Sequence, residues 1–482
     1  MGSEDLRQYL KRIEAAGKLK RISKEVDGDW ELSGISRSVW KRFSDRHRFA
    51  LLFENVKGHH GQRVVVGAFG QSRDLYAMAL NVTPDRIHER WSQALSSPLM
   101  PVMVGSGPVK ENIFKNDDVD LFQLPMSKWH PFNKAPYITA GSAVTKDPDS
   151  GWCNVGTYAS MLVNKNLLTL RGGFYQHMAL HYEKYEQRDQ EMPIAVVVGP
   201  PPVVGMASVA EVPYGVEEYA VAGGLQGEPI KLVKCETIDL EVPADAEIVI
   251  EGVVPPHVRE SDGPHVDHCG FQLPVRQMRR FEVRCITHRN QPIYQEYDEG
   301  LPPNESTIIR GIGLEAILWH KLERGLGLTG IRGIRATEGS AGWGTWIVAI
   351  DKFTDADPAR VAAGLLAGSW CGKRVIVVDS DIDIYDDTEI EWALAFCVRW
   401  DRDMFLFPRL GYHPLDPSIA SHEQHIGGVA TQAIGSRIDW PPAIVIDATK
   451  KSWFPKVGKY PQETYRAVEE RWKDYGLPPL DK

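Results

Sequence analysis

The sequence predicts a chain of mixed class, α+β in its first part, β-rich in its middle and α/β in its last part. Three observations predict it. Helix and strand periods alternate up to about residue 110; from there to about 310 the apolar runs are short and broken by Pro, Gly and Asp; from about 311 helix, strand and helix patterns follow at short range. At 482 residues the chain has room for two or three domains and a sizeable core.

In the first part, residues 3–16 have amphipathic spacing, with Ser3 as a cap, Leu6, Leu10 and Ile13 on one face and Gly17 as a stop. A second helix is expected over Glu31 to Phe43. The runs ALLFENV and QRVVVGAFG are rich in β-formers between Gly-containing turns, which predicts paired strands. Helical spacing returns at 73–80 and 83–95. In the middle part YITAGSAVTK, IAVVVGPPP, IKLVKC, AEIVIEGVV and FEVRCITH have the length and spacing of strands in a barrel or sandwich, a fold that holds ligands in its mouth. In the last part IGLEAILWHKLER and PARVAAGLLAG read as helices, RVIVVDSDID as a strand ending in acids and TEIEWALAFCVRW as a helix. A final helix, about Gln462 to Tyr475, sets Tyr465, Val468 and Trp472 on one side and needs a partner surface.

Composition excludes several function classes. With 55 basic against 64 acidic residues the formal net charge is -9, which argues against a general nucleic-acid binder. Six scattered cysteines without a CxxC pair predict neither a disulfide scaffold nor a zinc ribbon, and fit a reducing cytoplasm. The first twenty residues have no apolar signal-peptide core, and no apolar run has the length of a membrane span. GLGLTG at 325–330 matches GxGxxG but follows a helix pattern instead of a strand, so it is expected to be a helix stop and loop.

Two stretches carry chemistry. From Asn154 to Glu218 an amide, an imidazole and a carboxylate, Asn154, His177 and Glu218, form a set suited to Mn²⁺ or Mg²⁺ more than to structural zinc. The plain alternative is a solvated glutamate and a satisfied core histidine. In RESDGPHVDHCGFQ, 259–272, Asp262 and Asp267 flank a Gly263-Pro264 turn. Two carboxylates converging on one pocket have their pKa values driven apart, so that one donates a proton while the other accepts. His265 and His268 are further proton carriers in the same turn, and a solvated acidic turn is the alternative.

Beyond these residues the chain resembles the UbiD family of prenylated-FMN-dependent decarboxylases. The family's NVGTYR followed by a histidine is here NVGTYA followed by QHM, its glutamate before an AG pair is VEEYAVAGG, and its EGPxGE is DGPHVDHCGF. VIVVDSDIDIYDDTEIEWALAFCVRWDRD and IVIDATKK continue the match in order, so that it covers roughly residues 150 to 450. HPLDPS at 413–418 resembles members that decarboxylate hydroxylated benzoates.

The resemblance implies an N-terminal α+β domain over 1–110, a flavin-binding split β-barrel over 111–310, a C-terminal α/β oligomerisation domain over 311–455 and a terminal helix over 456–482. It implies a homo-oligomer, dimeric or hexameric, and a prenylated FMN made by a separate flavin prenyltransferase. The cofactor phosphate would be held through Mn²⁺, with K⁺ beside it. Asn154, His177 and Glu218 match the metal ligands, with the family's 23-residue separation from asparagine to histidine, Gln176 among the cofactor-binding positions and Glu217 as the ligand if the register slips by one. The substrate would be a small carboxylic acid, with the cofactor as electron sink and the protein supplying orientation and protons. Asp262 and Asp267 match the two family glutamates, Asp267 being the better match to the proton donor; being shorter, it leaves a gap that a deeper substrate, a water or His265 would close.

One departure bears on mechanism. The family's catalytic arginine, last residue of NVGTYR, is Ala159 here. That arginine holds a carboxylate bidentately and keeps the acids ionised, so without it at least one of the two aspartate pKa values is expected to rise. Arg171, twelve residues on, is expected to lie elsewhere, which makes the triad Asp, Ala, Asp. Two readings follow: a reversible decarboxylase acting on an activated ring, or a non-catalytic, accessory UbiD-like subunit. Met161, Phe405, Phe407 and Leu410 are candidate pocket-lining residues.

Overall fold

The computed structural model describes residues 4–173, 176–368, 372–408, 415–418 and 442–478. Its first helix, Leu6–Ala15, starts three residues later than the spacing suggests. Asp5 caps it by accepting from the Gln8 amide at 2.8 Å, while the Gln8 side chain accepts from the Asp5 amide; Ser3 lies outside the described residues. Leu6, Tyr9, Leu10 and Ile13 are buried on one face, and Gly17 ends the helix at φ +75°.

The expected pair of strands, Ala50–Phe53 and Arg63–Val66, is antiparallel and sits in a four-stranded sheet. One edge is Leu19–Ile22; the other is Ile293–Glu296, which joins Arg63–Val66 in parallel after the chain has built the whole middle region.

In that middle region Lys231–Lys234, from the run IKLVKC, departs from the expected barrel and pairs with Glu241–Pro243 and Val102–Met103 in a separate three-stranded sheet, whereas the other expected runs enter one ten-stranded sheet. Its main path runs Tyr137–Ile138, Ser160–Asn164, Leu167–Leu170, Arg276–His288, Ile248–Val254, Met192–Val198, Ser142–Lys146, Cys153–Thr157. Ile248–Val254 and Met192–Val198 are buried at nearly every position, because their continuous apolar runs have a covered surface on each side. Cys153–Thr157 ends the path, and the next strand, Ser160–Asn164, is next to last at its other end. Only Tyr158 and Ala159 connect them, so the sheet curls until its two ends meet without pairing, as in a barrel split along one seam.

The last part holds a five-stranded mixed sheet in the order Ile331–Ala336, Thr345–Ile350, Arg374–Asp379, Ala443–Asp447, Met404–Phe407, with the helices Glu305–His320, Asp357–Gly368 and Asp387–Phe396. GLGLTG lies between the helical turn Lys321–Gly325 and the strand Ile331–Ala336, the reverse of the strand-then-helix order that a dinucleotide site requires. Phe405 and Phe407 are partly buried against this sheet's core. Leu410, His413 and Pro414 lie outside the described residues. The final helix is Gln462–Glu470, and its Tyr465 and Val468 are exposed. No helix among the described residues is long and apolar enough to cross a membrane.

Candidate active site

Both chemistry-bearing stretches converge on the seam. Asn154 lies in the edge strand Cys153–Thr157, and His177 and Glu218 are the first residues of the helices His177–Glu186 and Glu218–Gln226. Glu218 Oε2 accepts from the Val155 amide at 2.9 Å, and Glu218 Oε1 is 3.9 Å from His177 Nδ1. The fold therefore gathers all three residues at one strand end. Glu218 is buried and Glu217 only half-buried. Burial, the dominant effect, pushes the Glu218 carboxyl above its usual range against the opposing pull of His177 and the Val155 amide. The Asn154 amide nitrogen is 3.5 Å from Thr145 Oγ1. Gln176 precedes the helix, and its Oε1 accepts from the Gly173 amide at 2.6 Å. Trp152 packs edge-on against His177 and His181.

Among the described residues no three His, Cys, Asp or Glu side chains form a metal-sized cluster. The candidate set has two of these types and an amide, which leaves positions for outside ligands. A buried, raised carboxylate facing an imidazole at the ends of two helices suits a divalent cation carrying a phosphate, since helix N-termini favour anions.

The acidic turn is not a solvated one. Asp262 ends the strand Arg259–Asp262 with no exposure, Gly263 turns the chain at φ +93°, and His265 and Asp267 are each 3% exposed. His268 follows, its pKa pushed down to about 3 by burial. The surrounding barrel strands fold the acids inward.

Arg171 corrects the expectation that it lies elsewhere. Its amide donates to the Ala159 carbonyl at 3.1 Å, so it stands beside the position where the family's arginine is missing. Its side chain reaches Asp262: Nε donates to Oδ1 at 2.9 Å, and Nη2 donates to the same oxygen. Tyr137 Oη donates to Oδ1 at 3.1 Å, and Thr169 Oγ1 donates to Oδ2. Asp262 is thus an ion-paired carboxylate with four donors, not an acid without a counter-charge. The hairpin of Ser160–Asn164 and Leu167–Leu170 places the guanidinium there from the neighbouring strand.

Asp267 is held differently. Its Oδ1 accepts from the Cys269 and Phe271 amides at 2.9 and 3.0 Å, while its buried Oδ2 has no hydrogen-bond partner among the described residues. Burial pushes its pKa up to about 6, against those amides and the more distant Arg171. The expected rise therefore falls on Asp267. His265 Nδ1 is likewise buried without a partner among the described residues, and burial, then Arg171, holds its pKa well below the usual imidazole range, so it is neutral. Its ring lies 4.3 Å from that of Tyr137. Met161 Sδ accepts from the Gly263 amide at 3.4 Å, which packs the buried Met161 against the acidic turn.

Sequence reasoning missed Tyr137, Thr169, Arg276 and Glu299. Arg276 stands opposite Asp262 in the strand register. Burial and then Arg171 push its pKa down to about 10, and its buried Nε has no partner among the described residues. Glu299 Oε2 is 3.7 Å from His265 Nε2.

Comparison with known proteins agrees with this architecture. The family models for the N-terminal, Rift-related and C-terminal domains of 3-octaprenyl-4-hydroxybenzoate carboxy-lyase match residues 10–95, 101–302 and 307–438. The UbiD-class enzyme HmfF from Pelotomaculum thermopropionicum, solved with FMN, is 31% identical with a TM-score of 0.84, covering 96% of this chain and 98% of its own. An evolved dimeric form of HmfF, solved with prFMN, is 30% identical with a TM-score of 0.82, covering 96% and 100%. Vanillic acid decarboxylase of Sedimentibacter hydroxybenzoicus in its open form is 26% identical with a TM-score of 0.83, covering 99% and 100%. With all three domain models matched in family order and HmfF similar over nearly its full length, the chain belongs to the UbiD family of carboxy-lyases.

Proposed function

We propose that this chain is a prenylated-FMN-dependent, non-oxidative and reversible decarboxylase of an aromatic or α,β-unsaturated carboxylic acid. The observation that carries the reading is the split between two neighbouring acids. Asp262 is ion-paired by Arg171, whereas Asp267 keeps an unpartnered Oδ2 and a raised pKa. A pocket with one fixed charge and one exchangeable proton is what protonation of a carbon after CO₂ loss requires.

In this reading Asn154, His177 and Glu218 would hold Mn²⁺ and with it the cofactor phosphate, K⁺ would be a further cofactor, and Gln176 would contribute to the cofactor site. When bound, the modified flavin supplies the electron sink for loss of CO₂. The protein does the rest. Arg171 keeps Asp262 charged and fixed, and Arg276, which has no carboxylate partner among the described residues, adds positive charge for the incoming acid. Asp267 Oδ2 carries the proton to the product carbon, because Oδ1 is occupied by two amides. His265 stays neutral and closes the shorter reach of aspartate. A flavin prenyltransferase supplies the cofactor, and the exposed terminal helix contributes to a homo-oligomer.

The test is mass spectrometry of the cofactor released from protein co-produced with a flavin prenyltransferase, with metal content measured on the same sample. It is followed by CO₂ release from a panel of hydroxybenzoates, heteroaryl acids and cinnamates. Prenylated FMN and manganese near one per subunit, with turnover of at least one acid, are expected. A loaded protein inert to the whole panel would favour an accessory subunit, and an empty one would remove the cofactor assignment.

A further inference from the structure

Glu299 precedes the helix Glu305–His320, thirty-two residues beyond Asp267, and reaches the same cluster from another element. Its side chain is 11% exposed, and its Oε2 lies 3.7 Å from Nε2 of His265, whose side chain is 4% exposed. Oε1 accepts from Ser306 Oγ at 3.4 Å. Asp267 and Arg171 also face it, as does Asp298 on its own segment, which is engaged by Ser36 and Arg37. Among the described residues no cation forms a salt bridge with Glu299 apart from the approach of neutral His265. Burial, and then the charge of Asp267, push its pKa up to about 8. Between about pH 6 and pH 8 Asp267 and Glu299 therefore hold one proton between them, and of the two Glu299 is nearer to solvent.

Resting on the decarboxylase reading above, we propose that Glu299 is the proton store of the site, a positioning residue that recharges Asp267 Oδ2 from solvent between turnovers. The steps balance. Asp267 gives its proton to the product carbon and becomes a carboxylate; the Glu299 carboxyl then loses its O–H proton and Asp267 Oδ2 gains it; Glu299 regains a proton from water. Asp267 Oδ2 and His265 Nδ1, both buried and without a partner among the described residues, are polar ends in the cluster along which the proton can travel.

Two readouts on full-length protein test this. Infrared difference spectra of cofactor-free protein between pH 6 and pH 9 follow buried carboxylic acids directly. Wild type should lose an acid band near pH 8, E299Q should lack that transition, and D267N should keep it at lower pH, because the neighbouring charge is gone. In loaded protein, hydrogen–deuterium exchange at the product carbon should lose its alkaline limb near pH 8 in E299Q, while E299D retains a limb. If E299Q shows the same acid band and the same alkaline limb as wild type, the proposal is wrong while the decarboxylase reading survives. If D267N also exchanges at the wild-type rate, Asp267 is not the proton donor and the proposal falls with that role; loaded wild type that neither exchanges nor releases CO₂ would sink the decarboxylase reading itself. Cofactor content of each variant shows that it is folded.

Discussion

Replacing Arg171 by Met keeps much of the side-chain volume and removes the charge that faces Asp262. The pair is 13% and 0% exposed. Breaking one half of a buried ion pair costs about 3–5 kcal/mol. Without its partner the buried carboxylate favours its neutral form, so the folded variant takes up a proton that the unfolded chain releases, and its stability falls as pH rises through the acid range. Relative to wild type, R171M should be least affected in acid and carry the full penalty at neutral pH. Urea unfolding of wild type, R171M and R171M/D262N at several pH values measures this, and the double variant should lose the pH-dependent part. An equal deficit at all pH values, not relieved by D262N, would show that Arg171 contributes packing alone and would remove the charge argument for Asp262.

Three more outcomes are expected. D267N should lower product-carbon exchange by about 10²-fold or more, the range of a lost general acid, with cofactor binding retained; exchange at the wild-type rate would move the proton donor elsewhere. E218Q removes the buried charge opposite His177, so metal analysis after gel filtration should show manganese well below one per subunit while circular dichroism is unchanged. Because the Arg171 amide is bonded to the Ala159 carbonyl, a guanidinium placed back on the edge position should recover part of the lost turnover: A159R in the R171M background should exceed R171M alone.

What the sequence could and could not reveal follows from how far apart the cooperating residues lie. Asn154, His177 and Glu218 were legible because each stands in its own local motif at a strand or helix end, and the strand and helix periods were long enough to place those ends. Arg171 was misplaced because its relation to Ala159 is one of strand pairing. A signal was present: Asn164, Lys165 and Asn166 form the turn of a hairpin, and positions 159 and 171 stand at equal distances from Lys165, hence opposite one another. Burial of the Asp262 turn was invisible for a different reason, since GP and charged residues read as solvent-facing until the strands around them are known. Glu299 had no local signal at all; only the packing of its loop against His265 reveals it.

The N-terminal four-stranded sheet takes its last strand from far along the chain. Arg63–Val66 waits for Ile293–Glu296, about 227 residues later, before its outer edge is covered. During synthesis at about 5–20 residues per second that delay is roughly 10–45 s, far longer than a hairpin needs to form. For that interval RVVV presents bare amides and carbonyls on an apolar strand, the kind of edge that recruits other strands. Heterologous production of this chain should therefore be sensitive to translation speed and to holding chaperones. A fragment ending before residue 293 should aggregate even though it contains every residue that the four-stranded sheet takes from the N-terminal region.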